Sequence, residues 1–286
     1  MPTDNDAPDG LESRIPGPDA ARSVFTGKVA DYVASRPDYP AALFAMLQAE
    51  CPSGANVTVA DVGSGTGLLA QGLLRSGYRV VAVEPNQEMR AAADSVLGGA
   101  SGYRSVEGSA ESMPLEAESV HLVTAAQAFH WFEIERARAE FLRILTPRGK
   151  VALIWNDRIL DDPLHVALDE VFESFGGARR GALLAHEDRS NIPLFFGSAQ
   201  LKEFSWPHAN YLDEEALLSL VFSRSYMPNR VTTDGRLVGD SVRKVFDRFV
   251  SSGRVEVRYR TVATLGRPAP KRHAQPDRRS KHDCAE

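Results

Sequence analysis

The chain has 286 residues, 43% of them hydrophobic, with a formal net charge of -5. Length and apolar content suffice for one substantial domain with a sizeable core. The mild acidity gives no overall pull toward nucleic acid or an anionic membrane, and no apolar run approaches the ~20 residues of a membrane helix. Only Cys51 and Cys284 are present, without metal-ligand spacing, so neither a disulfide framework nor a zinc site is predicted.

Residues 1–22 are rich in Pro, Gly and Asp and are read as a disordered tail. They open on an acidic stretch with no basic or apolar signal region, so a cytoplasmic location is expected. Elements then alternate. Val57–Val62 is a short apolar run ending in a glycine-rich turn and predicts a buried strand, followed by a helix over Leu68–Arg75. Tyr78–Val83 predicts a second strand, and the alanine-rich Gln87–Leu97 a helix stopped by Gly98-Gly99. Gly102–Val106 and Val120–Ala125 read as strands, and Glu133–Leu145 as an amphipathic helix. Pro147-Arg148-Gly149 predicts a turn into a buried strand over Val151–Trp155.

Strands alternating with helices imply parallel βαβ units, and runs apolar throughout imply a sheet covered on both faces. The stretch 156–250 is read as mainly helix and loop, with late strands over Leu201–Trp206 and Val255–Leu265. Residues 267–286 read as a disordered polar tail. Its basic residues favour a solvated tail over a nucleic-acid arm, being few and without interleaved aromatics.

The chemistry should gather at the carboxyl ends of the strands, where open α/β sheets bind ligands. Asp61-Val62-Gly63-Ser64-Gly65-Thr66-Gly67 supplies a turn on which a nucleotide-like ligand can lie against bare backbone. The dinucleotide fingerprint needs its third glycine one place further on, where Leu68 stands. Glu84, ending the next strand, has two readings: acceptor for both hydroxyls of a ribose, or exposed strand-end charge. Pro85 follows it, and Asn86 reads chiefly as the cap of the next helix. Gly108-Ser109-Ala110-Glu111 offers polar groups for an adenine amino group, or else a simple turn. Gln127, His130 and Trp131 lie in the aromatic segment Ala126–Phe132. His130 is the one candidate general base, with structural packing against the adjoining helix as the other reading.

These four motifs, in this order and spacing, resemble those of class I S-adenosylmethionine (SAM)-dependent methyltransferases. More narrowly they are similar to the type-11 family and its trans-aconitate methyltransferase-like branch. The similarity spans about residues 23–265, including Tyr32, Arg36-Pro37 and Tyr39-Pro40 upstream, and departs from the pattern at Arg148. The resemblance implies a Rossmann-like doubly wound α/β sheet of seven strands ending in an antiparallel hairpin. It implies one domain over 23–266, with a cofactor core near 55–155 and an acceptor region near 156–250.

By the same resemblance, Gly63, Gly65 and Gly67, with Asp61, Ser64 and Thr66, would line the methionine part of SAM. Glu84, with Pro85 and Asn86, would mark the ribose, and Ser109, Ala110 and Glu111 the adenine. Gln127 would lie near the methyl donor, and Tyr32 and Arg36 in a lid. Trp131, Arg224 and Tyr226 are candidates for substrate contact, with a helix C-terminus and a core aromatic as the other, preferred reading of Arg224 and Tyr226. The expected partner is a small-molecule methyl acceptor, an oxygen, carboxylate or nitrogen, with no metal and no nucleic acid. Two rival classes are an NAD(P)-dependent oxidoreductase, disfavoured by the glycine spacing and the lack of a convincing Tyr-x-x-x-Lys pair, and a non-catalytic SAM-binding protein.

Overall fold

The computed structural model describes residues 31, 37–54, 56–186, 189–197 and 199–270. Tyr32, Arg36, residues 1–22 and most of 267–286 therefore lie outside the described residues.

A seven-stranded sheet forms the frame. Its strands are β1 (Thr58–Val62), β2 (Arg79–Val83), β3 (Tyr103–Val106), β4 (Val120–Ala126), β5 (Leu145–Arg158), β6 (Lys202–Leu212) and β7 (Val255–Gly266). The helices are α1 (Ala41–Glu50), α2 (Leu68–Arg75), α3 (Gln87–Leu97), α4 (Ile134–Ile144), α5 (Pro163–His186, broken at Gly177), α6 (Ile192–Phe196), α7 (Glu214–Phe222) and α8 (Thr233–Phe249). The spatial order is β3-β2-β1-β4-β5-β7-β6. The first five strands pair in parallel and β7 runs antiparallel to both β5 and β6. The expected α/β architecture is thus present. The final antiparallel pair is no tight hairpin, because α7 and α8 lie between its strands.

Strands apolar throughout are explained by two covered faces. Along β5, Ala152 and Ile154 pack into one core with Leu43 and Leu47 of α1 and Leu69 and Leu73 of α2. The alternate residues Leu153 and Trp155 pack into the opposite core with Phe141 of α4 and Phe195 and Phe196 of α6. There Phe129, Phe141 and Phe195 meet edge to face, with Phe195 centroids 5.3 and 5.5 Å from the other two.

A third core joins Leu168 and Phe172 of α5, Leu217 and Val221 of α7, Val242 of α8, and Val255 and Val257 of β7. The outer ends of β6 and β7 carry this layer, since β6 pairs with Val255–Leu265 while β5 reaches only Tyr259–Gly266. The stretch 156–250 thus supplies four helices and also the edge strand β6.

Two local expectations change. Pro147-Arg148-Gly149 does not precede β5 but lies inside it, at a register shift: Val120 faces Leu145, and two residues on Leu122 faces Lys150, so β5 loops out between them. Arg267 closes this loop, donating to the carbonyls of Thr146 (2.7 Å) and Gly149 (2.9 Å). The first residues of the expected tail are likewise packed, Ala269 donating to the Phe196 carbonyl at 2.9 Å.

Candidate functional site

Chain order reverses between β1 and β4: β2 and β3 extend to one side of β1, while β4 and β5 return on the other. Such a switch point opens a crevice beyond the strand ends. Two cavities open there, one larger than the other, and both are lined by Gly63, Ala126 and Gln127.

The glycine turn makes the floor. Gly63, Gly65 and Gly67 take φ of 68°, 55° and 82°, the left-handed region that favours glycine. Their reasons differ. A Cβ on Gly63 would stand 2.6 Å from the Ala128 Cβ, and one on Gly67 2.7 Å from Leu97 Cδ1. A Cβ on Gly65 would meet no atom within 4 Å; it would enter the open crevice. Gly63 and Gly67 thus serve close packing, whereas Gly65 keeps space clear.

Glu84 is buried, which rejects its reading as an exposed charge. Its Oε2 accepts the Gly65 N–H and its Oε1 the Asn86 N–H, both at 2.9 Å. Burial pushes its pKa up, and these two backbone donors oppose that. A carboxylate so held faces the larger cavity in a fixed orientation and keeps lone pairs for further donors.

Asp61 is 1% exposed and lines the smaller cavity. The Thr124 hydroxyl donates to its Oδ1 at 2.8 Å, while Oδ2 is buried with no hydrogen-bond partner. Burial raises its pKa to about 7, with the Glu84 charge adding to the shift and the Thr124 bond opposing it. A buried carboxylate oxygen without a donor suits a cationic ligand group.

Pro85, Ser109, Ala110, Glu111 and Trp131 line the larger cavity, and Ser64 and Thr66 the smaller. Glu111 also accepts the Glu133 N–H at 2.8 Å, which ties the cavity wall to the start of α4. Asn86 lines neither cavity; its Oδ1 caps α3 by accepting the Met89 N–H at 3.0 Å. Gly67 also stands outside both linings, as the residue preceding α2.

Gln127 holds a φ of 54°, strained for a residue with a side chain, right at the mouth of β4. Its N–H donates to the Ile154 carbonyl at 2.9 Å and its Nε2 to the Asn156 carbonyl at 3.2 Å.

Three candidates stand elsewhere. His130 lies in a single 3-10 turn, Phe129–Trp131, with its ring 5.1 Å from that of Trp131, and belongs to neither cavity lining. Arg224 and Tyr226 both pack on Phe172, at 5.9 Å each, beside the third core. Met89 in the larger cavity and Asn156 in the smaller line the crevice without having been named as cofactor residues, and Pro37 and Tyr39 of the upstream motif segment line the smaller one too. The upstream Pro37 and Tyr39 carry a signal in the motif resemblance; Asn156 carries none before the sheet is assembled.

Comparison with known proteins agrees with this geometry. A family model described as Methyltransferase domain matches residues 60–153, from β1 into β5. An uncharacterized methyltransferase of Mycobacterium tuberculosis is 36% identical over 208 residues, spanning 71% of this chain and 76% of its own. One of Schizosaccharomyces pombe is 31% identical over 251 residues, covering 86% of this chain and 97% of its own. A solved structure from Anaeromyxobacter dehalogenans, carrying a type II methyltransferase name, superposes with a TM-score of 0.57 at 23% identity. It covers 82% of this chain and 99% of its own, and at that identity the likeness concerns the fold.

Proposed function

Because the chain belongs to the class I S-adenosylmethionine-dependent methyltransferases, we propose that it methylates a small-molecule oxygen, carboxylate or nitrogen acceptor, with SAM lying across both cavities. The observation that carries this placement is the pairing of two buried carboxylates on one crevice: Glu84 with its orientation fixed, Asp61 with one oxygen lacking a donor. Glu84 would accept the ribose hydroxyls, and Pro85, Ser109, Ala110 and Glu111 would flank the adenine in the larger cavity. Asp61, Ser64 and Thr66 would face the methionine end in the smaller one, with the bare backbone of Gly65 between. Asn86 would act through its α3 cap, which sets the backbone beside Glu84.

Bound SAM supplies a methyl group already activated on a sulfonium. The chain's part is to align an acceptor with it and exclude water. Trp131 and Gln127, at the wall and the junction of the cavities, are placed for that. A carboxylate acceptor needs no base; a hydroxyl or ammonium does, and His130, although outside both cavity linings, is the residue named for it. The finer assignment to the trans-aconitate methyltransferase-like branch rests on the motif resemblance, supported by Pro37 and Tyr39 lining the crevice. Tyr32 and Arg36 belong to the same proposed lid segment. A small acceptor, rather than nucleic acid, fits the acidic net charge of -5. No described helix is long and apolar enough to cross a membrane.

The test is a screen of carboxylic acids, phenols and amines for S-adenosylhomocysteine release, repeated with His130→Ala across pH. Turnover of a carboxylic acid with an unchanged pH profile in the variant supports transfer without a base. Loss of the acid limb, where a base must shed its proton before it can act, assigns the base to His130. No turnover with any small acceptor, but turnover with a macromolecule, overturns the acceptor class.

A further inference from the structure

Asn156 stands where four parts of the chain meet. It lies near the end of β5, is buried, and lines the smaller cavity. Its Nδ2 donates to the Asp38 carbonyl at 3.1 Å. Its Oδ1 accepts the hydroxyl of Thr261, a fully buried β7 residue, at 2.6 Å. Its backbone carbonyl accepts the Gln127 Nε2 at 3.2 Å. Asp38 sits between Pro37 and Tyr39, which line the same cavity, and Gln127 lines both.

A side-chain amide both donates and accepts, so one residue can hold β7 on one side and the 37–40 segment on the other. An aliphatic side chain of equal size can do neither. The segment 37–40 precedes α1 and no strand pairs with it; this bond ties its backbone to the sheet, and the Asp38 carboxylate, 3.0 Å from His208 Nε2 of β6, is a second contact there.

We propose that Asn156 is a positioning residue for the methionine end of the cofactor: it fixes the 37–40 segment as a wall of the smaller cavity and steadies Gln127 at the junction. This rests on the SAM placement proposed above. The adenosine half would occupy the larger cavity, whose lining includes neither Asn156 nor Pro37 and Tyr39. Loss of the tie should therefore weaken ligands that carry the methionine half and spare those that end at the thioether.

The experiment is calorimetry with S-adenosylhomocysteine and with 5′-methylthioadenosine, with a thermal melt of each variant. Asn156→Leu combined with Thr261→Val removes donor and acceptor together at similar volume, which keeps the stability change small. The double variant should bind S-adenosylhomocysteine about tenfold more weakly and methylthioadenosine within about twofold of wild type. Thr261→Val alone, which keeps the donor to Asp38, should stay within about threefold for both. Asn156→Ser, too short to reach Asp38, carries the same expectation as the double variant should that variant not fold. Equal weakening of both ligands, or unchanged S-adenosylhomocysteine affinity, overturns the role of Asn156 while leaving the SAM site standing. Wild-type protein that binds neither ligand overturns the SAM placement and this inference with it.

Discussion

At the β1–β4 switch of the sheet the crevice floor is bare backbone, turned by three glycines at positive φ and flanked by two buried carboxylates. At the β6–β7 end the same sheet runs into a helical layer with its own core and a network of ion pairs. There Asp169 joins Arg158 at 2.8 Å and Arg180 at 3.1 Å, while His165 accepts from Arg158 at 3.1 Å. The first region turns two buried carboxylates toward a crevice; in the second, Asp169 is shared between two guanidinium groups. Crevice-facing carboxylates and structural ion pairs are thus separated along the sheet, and substitutions in the two regions should have opposite signatures.

The largest effect is expected within the glycine turn itself. Gly63→Ala meets Ala128 and a positive φ together, and should lower stability by about 2–4 kcal/mol, seen as a lower melting temperature. Gly65→Ala meets only its positive φ and should lower stability by about 1 kcal/mol, yet abolish SAM binding by filling the crevice. Equal melting temperatures for the two variants would break the distinction between a packing glycine and a clearance glycine.

Asp61 comes next, and its sign follows from its pKa of about 7 in the folded chain against about 3.9 unfolded. Between those values the native state binds more protons, so the ligand-free protein loses stability as pH rises from about 4 to 7. Asp61→Asn should remove that dependence and raise the melting temperature at pH 8, while weakening SAM. In the wild type, SAM affinity should rise between pH 5.5 and 7.5, because a cationic ligand group favours the ionised carboxylate. Calorimetry in two buffers of different ionisation enthalpy would detect the proton released; its absence would detach Asp61 from the ligand.

In the second region Asp169→Asn strips the shared partner from Arg158 and Arg180, and should cost about 1–3 kcal/mol of stability with SAM affinity unchanged. The guanidinium groups beside it offset its burial and hold the Asp169 carboxyl below its ordinary value. Its contribution is therefore present at neutral pH and fades as pH falls through the acid range, so the variant should melt with a weaker acid dependence. A change in SAM affinity would show that the two regions are coupled. The smallest effect is expected at Arg243→Gln, whose exposed pairs with Glu214 and Asp240 are each 3.1 Å. Exposed pairs of this kind contribute about 0–0.5 kcal/mol, which chemical denaturation would bound.

The same contrast explains what was legible in the sequence. Asp61, the glycine turn and Glu84 lie within one βαβ unit, so the strand ends and the glycine spacing alone place them on one crevice. The helices over Leu68–Arg75 and Gln87–Leu97 follow from local periodicity and were found at those bounds. Asn156 depends on register with Thr261, 105 residues away, and on an upstream carbonyl 118 residues away, and no local pattern encodes either. At Pro147–Gly149 the sequence signals only an interruption, since Pro and Gly mark a turn; the pairing of Leu145 with Val120 makes it part of a strand. Arg224 and Tyr226 have the chemistry of a binding site, but the fold sets them against Phe172.

The central claim, that SAM is held on the fixed Glu84 carboxylate, is tested most directly by calorimetry of wild type and Glu84→Ala with SAM, S-adenosylhomocysteine and NAD, each protein checked by thermal melt. Binding of SAM and S-adenosylhomocysteine but not NAD is expected, with a loss of at least about a hundredfold in a Glu84→Ala variant that still folds. Unchanged SAM affinity in that variant, or preference for NAD, would contradict it.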